Sequence, residues 1–254
     1  IFLTPATDLF TGTEVGGWAG QNTGILNTNV GASKYDIGHV YSRYLGGPAS
    51  GVGGLGGCSV SKGVGASSGN GTGVYETRFR VVIGQEIGHQ MAGGHTWNRC
   101  DGGGGRSQTT AFEPGSGSTI MSYGGVCGPD NVQNACDLYY HAGSIEEIRN
   151  YILYAEGNQC GTFVETGNTI PTVTLPYQNG FYIPIGTPFQ LKGAATDPDN
   201  DPLSYCWEEI DAGPEVPLGQ PDGDCAIFRT YLPDSVSYRY FPKYQYILSN
   251  SSNI

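Results

Sequence analysis

The segment QEIGHQMAGGH, residues 85–95, decides the fold predicted for this chain. On a helix, residues 85 and 89 lie one turn apart on the same face, so their side chains can bind one side of a single metal ion. Glu86 lies beside them, and His95 can return to the same point once the chain has left the helix. The pattern therefore predicts a metal site on His89 and His95, with Glu86 as general base and Gln85 in the remaining ligand position.

The spacing follows the zinc-peptidase pattern H-E-x-x-H-x-x-G-x-x-H, in which three histidines hold zinc and the glutamate activates a zinc-bound water. Gln85 occupies the position of the first histidine. Because a neutral amide oxygen is a poor zinc ligand beside imidazole, thiolate or carboxylate, we expect Gln85 to hold zinc weakly. Ala92 occupies the position of the glycine, and Gly93 and Gly94 predict an exit from the helix that is shifted by one residue.

A second motif, STIMSYGG, lies at residues 118–125. It resembles the Met-turn that lies beneath the zinc of metzincin peptidases, which makes Met121 an apolar floor and not a ligand. The chain is similar to the bacterial secreted reprolysin-like (adamalysin-type) metzincin metallopeptidases, and this resemblance covers roughly residues 5–162. Three stretches carry it, in the expected order: QEIGHQMAGGHTWN (85–98), EPGSGSTIMSYGGVCG (113–128) and YHAGSIEEI (140–148).

The resemblance implies a secreted zinc endopeptidase with a zincin-like (metzincin) α/β catalytic domain, acting on protein or peptide substrates. It places zinc on His89, His95 and Gln85. It gives Glu86 two tasks, which are to deprotonate the attacking water and to protonate the leaving amine. It also implies that a strand at residues 35–44 binds the substrate backbone by β-addition.

An alternative from another functional class stays open. The chain can be a catalytically inactive extracellular structural or adhesive protein, such as a surface or filament component, that retains the peptidase scaffold. Gln85 favours this alternative because it replaces a strong zinc ligand with a weak one. Zinc binding would separate the two interpretations.

Three further side chains near the motifs have two interpretations each. In the astacin branch of the metzincins, a tyrosine placed like Tyr123 reaches the metal, so Tyr123 is either an auxiliary phenolic group or a packed core tyrosine. His39 lies on the predicted strand 35–44 and is interpreted as structural, not as a ligand. His141 stands just before a predicted helix and is interpreted as a helix cap or a loop hydrogen-bonding group.

Two helices are predicted from hydrophobic spacing and capping signals. The first spans residues 78–91, and the second spans residues 144–155, with Ser144 and Glu147 as a capping box. Residues 11–34 are rich in Gly, Asn and Thr and predict only a short helical turn near residues 25–29.

The metzincin resemblance implies a long helix and two or three strands ahead of the active-site helix. Residues 45–73 read as a glycine-rich loop with one short strand, and those elements are not recognisable in residues 1–80. We therefore expect an N-terminal part to be missing, and another polypeptide segment or self-association to complete the sheet.

Seven cysteines without a C-x-x-C pair predict structural disulfides formed in an oxidising compartment. Cys136 is left over from the pairing that the family's layout implies, and it could compete with Cys100 for Cys127. The implied pairs are Cys58–Cys160, Cys100–Cys127 and Cys206–Cys225.

A change of pattern at residues 165–171 predicts a boundary between a peptidase domain at 1–164 and a second domain at 165–254. Beyond this boundary, short β segments alternate with Pro and Asp/Asn turns, which is typical of an all-β sandwich of the Ig-like or cadherin-like kind. Such modules have further strands, so we expect this one to be incomplete. The predicted segments are 172–175, 181–185, 189–194, 203–209 and 237–241.

The turn ATDPDNDPLSY at residues 195–205 carries alternating carboxylates. It resembles the D-x-D-x-D loop of cadherin-like modules, where carboxylate oxygens bind calcium, a hard cation. Asp197, Asp199 and Asp201 are therefore candidate calcium ligands. The alternative is an ordinary Asx-rich turn.

Composition excludes two classes of partner. The net charge of −11 leaves no basic stripe that could meet the phosphates of a nucleic acid. No run of 18 apolar residues is present, so no membrane span is predicted. The chain starts at Ile1 without a charged leader region, which predicts a mature or trimmed product. Forty-two glycines and seventeen tyrosines, with only 14% charged residues, favour a loop-rich protein of the cell surface or the extracellular space.

Overall fold

The computed structural model describes residues 7–42, 50–69, 74–177 and 179–250. The first element is helix α1 (Val15–Asn29). The helical turn predicted near residues 25–29 is its last part, but the prediction missed residues 15–24, because the four glycines of the segment disfavour an isolated helix. Tertiary packing holds the helix, because it lies against a small sheet and the buried Asn22 donates from Nδ2 to the Gly63 carbonyl at 2.8 Å.

The sheet contains strands β1 (Val40–Ser42), β2 (Ser50–Gly53) and β3 (Gly65–Ser68) in the order β1-β3-β2. β1 runs parallel to β3, and β2 runs antiparallel to it. The central strand is completely buried and consists of small residues. The expectation that residues 1–80 lack the helix and the strands is therefore wrong, although a partner that completes the sheet stays a prediction. Arg43 and Tyr44, the end of the predicted strand 35–44, lie outside the described residues.

The second helix, α2 (Val74–Gln90), begins one turn before the predicted start. Glycines let its neighbours approach closely. A Cβ added to Gly51 would lie 2.3 Å from the Glu86 Cγ, and a Cβ added to Gly53 would lie 2.1 Å from the Glu86 carbonyl oxygen. On the other side, a Cβ added to Gly88 would lie 2.5 Å from the Met121 sulfur. Helix α2 therefore packs closely between β2 and the segment that contains Met121.

Residues between α2 and the next helix form loops that are held by one buried carboxylate. Glu113 is fully buried, and none of the ion pairs found among the described residues includes it. It accepts hydrogen bonds from the hydroxyls of Thr96, Ser118 and Thr119. It also accepts the backbone N–H groups of Ser118 and Thr119, at 2.7 and 3.2 Å. This carboxylate joins the segment that follows His95 to the Met-turn.

Helix α3 spans Ala142–Tyr154. Its N-cap is His141, whose ring nitrogen accepts the Gly143 N–H at 3.1 Å, which confirms that His141 is a capping side chain. The predicted capping box is wrong, because the Glu147 carboxylate accepts the Gly94 N–H at 2.9 Å instead of capping its own helix. Ser144 is buried within the first turn.

Two of the three implied disulfides are present: Cys58–Cys160 and Cys100–Cys127. The third is wrong, because Cys206 and Cys225 are both free thiols. The exposed Cys206 sulfur donates to the Tyr231 carbonyl at 3.3 Å, whereas Cys225 is buried against Gly213. Cys136 is free and buried, as the pairing implied.

The C-terminal part contains two antiparallel strand pairs and a short helix. β4 pairs with β6, and β5 pairs with β7. Three predicted segments are confirmed as strands, whereas residues 181–185 and 203–209 form no strand beyond one bridge between Tyr205 and Asp234. Two two-stranded sheets fall short of a sandwich, so the Ig-like or cadherin-like domain at 165–254 stays a prediction. The elements are β4 (Thr172–Thr174), β5 (Phe189–Lys192), β6 (Ala194–Thr196), β7 (Tyr238–Phe241) and α4 (Tyr244–Leu248). None of the described helices is long and apolar enough to cross a membrane.

We expect Glu113→Gln to lower the free energy of unfolding by about 3 kcal/mol or more. In the variant, an NH2 group replaces one carboxylate oxygen, so the donors that bonded to that oxygen lose their acceptor and face another donor. Urea denaturation of the full chain measures this effect. Glu165→Gln, which removes an exposed carboxylate, is the control and should change stability little. A Glu113→Gln protein as stable as the parent would contradict the assigned role.

Candidate metal centre

The end of α2 directs the chain back toward the helix. Ala92 has a positive φ of 71°. The Gly93 N–H bonds to the Gly88 carbonyl at 2.8 Å, and the Ala92 N–H bonds to the His89 carbonyl at 3.1 Å. This is a Schellman ending with Ala92 at the left-handed position. The expectation of a turn shifted onto Gly93 and Gly94 is wrong, because the unshifted position makes the turn even without glycine.

The turn brings His89 and His95 together. Their Nε2 atoms are 3.1 Å apart, and the two rings meet edge to face. The Nδ1 of His89 lies 2.7 Å from the Gly93 carbonyl oxygen, and the Nδ1 of His95 lies 2.6 Å from that of Gly105. Because a carbonyl oxygen only accepts hydrogen bonds, each Nδ1 must carry the proton. Both Nε2 atoms of the neutral rings therefore present lone pairs to each other.

Two facing lone pairs repel unless a cation lies between them, and the spacing suits zinc. Two imidazole ligands of a tetrahedral zinc ion have their nitrogens about 3.3 Å apart. Burial lowers the pKa of His89 to about 4, assisted by the neighbouring His95, and also lowers the pKa of His95. The rings are therefore neutral at pH 7, which is the state in which imidazole binds metal. The carbonyl groups that fix the tautomers are the outer-sphere partners usual for zinc-bound histidines.

Gln85, the candidate for the third ligand, is buried. Its Nε2 donates to the Ser122 carbonyl at 3.1 Å, so its Oε1 is the atom left for a metal. Among the described residues, no cluster of three or more His, Cys, Asp or Glu side chains could hold a metal ion. The assignment of His89, His95 and Gln85 as the ligand set therefore stays a prediction.

Glu86 is buried beside strand β2. Burial raises the pKa of its carboxyl to about 7, although a hydrogen bond from the Gly53 N–H acts in the opposite direction. Glu86 lines a cavity of about 240 Å³ together with Gln85 and Tyr123. A carboxyl with a pKa near neutrality can both accept and return a proton, which is the property required of a general base.

Met121 and Tyr123 pack around the histidines. Met121 is fully buried beneath Gly88 and Gly93 of the helix ending. The Tyr123 ring meets His95 edge-on, with centroids 4.8 Å apart, and stacks on Trp97 at 5.3 Å. These contacts show a packing role for Tyr123, and its role toward a metal stays a prediction.

Other candidate residues lie elsewhere. His39 bonds to the Gln90 side chain at 2.7 Å and to the Ser67 hydroxyl at 2.8 Å, which places it between α2 and β3 as a structural residue. The Asp197 carboxylate accepts the N–H groups of Asp199 and Asp201, at 2.8 and 3.2 Å. These are the contacts of an Asx-rich turn, and the structure offers no support for calcium there.

The sequence did not indicate which residues position His95. The Gly94 N–H is held by Glu147 of α3, and the His95 carbonyl accepts the Thr110 hydroxyl at 2.7 Å. Gly105 supplies the carbonyl at Nδ1. All three contacts are long-range or involve backbone atoms, so no local pattern could have indicated them. The E-x-x-H spacing identifies the candidate metal-binding side chains, but it does not identify the residues that position those side chains.

Comparison with known proteins gives one finding for this chain. A family model described as metallo-peptidase family M12B, reprolysin-like, matches residues 4–152, more than half of the 254 residues. A search of curated proteins found no match.

We expect Ala92→Gly to raise the free energy of unfolding by roughly 0.5–1 kcal/mol, because glycine adopts a positive φ without the Cβ clash. Chemical denaturation measures the change. Ala155→Gly is the matched control, since Ala155 is exposed and has an ordinary φ of −123°, and it should not stabilise the protein. Equal changes in the free energy of unfolding at the two positions would show that the positive φ of Ala92 does not destabilise the protein.

Stability should also depend on the protonation of Glu147. Burial raises the pKa of its carboxyl, although the Gly94 N–H opposes this shift. The folded chain therefore binds this proton more tightly than the unfolded chain, so Glu147 lowers the free energy of unfolding as the pH rises from the ordinary pKa of glutamate through the raised one. Glu147→Gln keeps an acceptor for Gly94 but cannot titrate.

The stability of Glu147→Gln relative to the parent should increase with pH in that window and become constant above it. Urea denaturation at a series of pH values from about 4 to 8 tests this. Glu146→Gln measures the effect of removing an exposed carboxylate from the same helix. A relative stability that falls with increasing pH would show that the sign assigned to Glu147 is wrong.

Proposed function

Because this chain belongs to the reprolysin-like metallopeptidases of family M12B, we propose that it is a secreted zinc-dependent endopeptidase that hydrolyses peptide bonds in proteins or peptides. Family membership implies zinc dependence and a protein or peptide substrate. The finer points, namely secretion, the ligand set and the role of each residue, are the proposal. Two disulfides are compatible with an extracellular location.

One observation carries the proposal: the Nε2 atoms of His89 and His95 lie 3.1 Å apart with both tautomers fixed. A metal-free fold gains nothing from two facing lone pairs, whereas a bound zinc ion turns them into two ligands. Gln85 would contribute its Oε1 as the weak third ligand. When bound, zinc supplies Lewis acidity, which polarises the scissile carbonyl and favours ionisation of water.

The protein's own residues would perform the proton transfers. Glu86 accepts a proton from the attacking water and returns it to the leaving amine. The buried position that raises the pKa of its carboxyl supports this role. Met121 closes the floor of the site, and the Tyr123 ring supports His95 from the side.

The substrate would lie along β2. The resemblance implied that the strand within residues 35–44 borders the cleft, but β1 (Val40–Ser42) lies at the far edge of the sheet. Within the described part of the sheet, β2 is the opposite edge strand, and it lies against Glu86 at Gly51 and Gly53. An extended peptide added to this edge would pass in front of the carboxylate. The cavity of about 240 Å³ beside Glu86 would accommodate one of its side chains.

Gln85→His tests the proposal. The parent should bind zinc weakly, and the variant should bind it at least about tenfold more tightly because imidazole replaces an amide. Cleavage of casein should rise in parallel. Zinc affinity is measured by competition with a chromogenic chelator, and cleavage is measured with and without added zinc.

The control is Glu86→Gln in the Gln85→His background. It should retain zinc and lose casein cleavage by roughly 10²–10⁴-fold, because the ligands remain while the general base is removed. If Gln85→His alone binds zinc tightly but does not cleave casein, the result would favour the inactive structural or adhesive protein. If Gln85→His binds zinc no more tightly than the parent, the assigned ligand set would be overturned.

A further inference from the structure

The carbonyl that holds His95 belongs to a turn with little support of its own. Gly105 lies in the run Gly102–Gly105, whose residues are all exposed. Gly102 and Gly105 have φ values of 72° and 89°. Such a glycine run has high conformational entropy when nothing ties it down. The position of the Gly105 carbonyl therefore depends on the residues that anchor the turn.

Arg106 is the anchor at the end of this run. Its Nε donates to the Asn98 carbonyl at 2.7 Å, and one terminal nitrogen donates to the Gly213 carbonyl at 2.6 Å. One planar group thus connects the turn beside His95 to two separate backbone segments. A guanidinium presents several donors in a fixed plane, whereas a lysine ammonium cannot reproduce that bridge.

Gly213 belongs to a segment of residues 213–218, which we call the strap. The buried Asn98 side chain pairs with it twice: its Nδ2 donates to the Pro214 carbonyl at 2.9 Å, and its Oδ1 accepts the Val216 N–H at 3.0 Å. At the far end, the Leu218 N–H donates to the buried Asp130 carboxylate at 3.3 Å. The strap is therefore bound to the peptidase loops along its length, although it lies outside the matched residues 4–152.

We propose that Arg106 and the strap act together as a positioning device for His95. The strap fixes the guanidinium of Arg106, the guanidinium fixes the glycine turn, and the Gly105 carbonyl holds the Nδ1 proton so that Nε2 faces His89. The role of His95 as a zinc ligand rests on the proposed function, whereas the orientation of its ring does not. The device places part of the metal site under the control of a segment more than 100 positions later in the chain.

The test uses the zinc-free full chain and ¹⁵N NMR of the histidine rings. The parent should show His95 as a single Nδ1–H tautomer. In Arg106→Ala, His95 should show a mixture of tautomers, whereas His89, which is held by Gly93, should keep its own. Arg106→Lys should give an intermediate result and serves as the deciding variant if Arg106→Ala does not fold. Arg149→Ala, an exposed arginine on α3, is the matched control.

Zinc affinity is the second readout. Arg106→Ala should weaken zinc binding by about 10- to 100-fold, the usual effect of removing an outer-sphere partner, while Arg149→Ala should leave it unchanged. An unchanged His95 spectrum in Arg106→Ala, or in Arg106→Lys where only that variant folds, would overturn the proposal. So would equal changes at His89 and His95, which would indicate general loosening. A parent that binds no zinc would refute the proposed function, yet the tautomer measurement would still decide the role of Arg106.

Discussion

The Glu113 carboxylate is the interaction on which the arrangement of the site depends. The segment from His95 to the Met-turn forms almost no regular secondary structure, so its buried polar groups cannot be satisfied by a strand or helix ladder. Glu113 instead accepts two backbone N–H groups and three hydroxyls, from Thr96 on one side and from Ser118 and Thr119 on the other. Thr96 directly follows His95, and Ser118 and Thr119 lie just before Met121, so the carboxylate fixes the position of His95 relative to Met121.

Close packing of α2 is the second constraint, and it explains the poor helix propensity of this segment. Gly84 and Gly88 would be unfavourable in an isolated helix. Here a Cβ at Gly88 would lie 2.5 Å from the Met121 sulfur, and a Cβ at Gly84 would lie in tight contact with Ile120, at 3.1 Å. On the strand side, Gly51 allows β2 to approach the side chain of Glu86, and Gly53 allows it to approach the backbone of Glu86. Packing therefore stabilises the helix, and the same absence of side chains brings β2 next to Glu86.

The sequence predicted the parts of the fold that follow from local spacing. The active-site helix, the Met-turn and two disulfides were predicted from motifs and from the family layout. Most of helix α1 was not predicted, because its glycines give the segment a low helix propensity and its packing against the sheet cannot be read from local sequence. The C-terminal strands were predicted in part, since β segments such as residues 181–185 have the right composition but no pairing partner in the described structure. The Cys206–Cys225 pair was wrong, because the layout implied by the resemblance does not determine where these two thiols lie in space.

The surroundings of His89 and His95 contain two locally unfavourable features, which the sequence does not predict. Ala92 takes a backbone conformation suited to glycine, and the Nε2 lone pairs of His89 and His95 face each other. Each feature is unfavourable by itself, and both occur within a few residues of one point. Unfavourable local features persist when the surrounding structure imposes them, and they concentrate where a ligand offsets their cost. A zinc ion would remove the repulsion between the lone pairs but not the strain at Ala92. The lone pairs are therefore the feature that points to a metal, and in the proposed ligand set Gln85 would determine how tightly that metal is held.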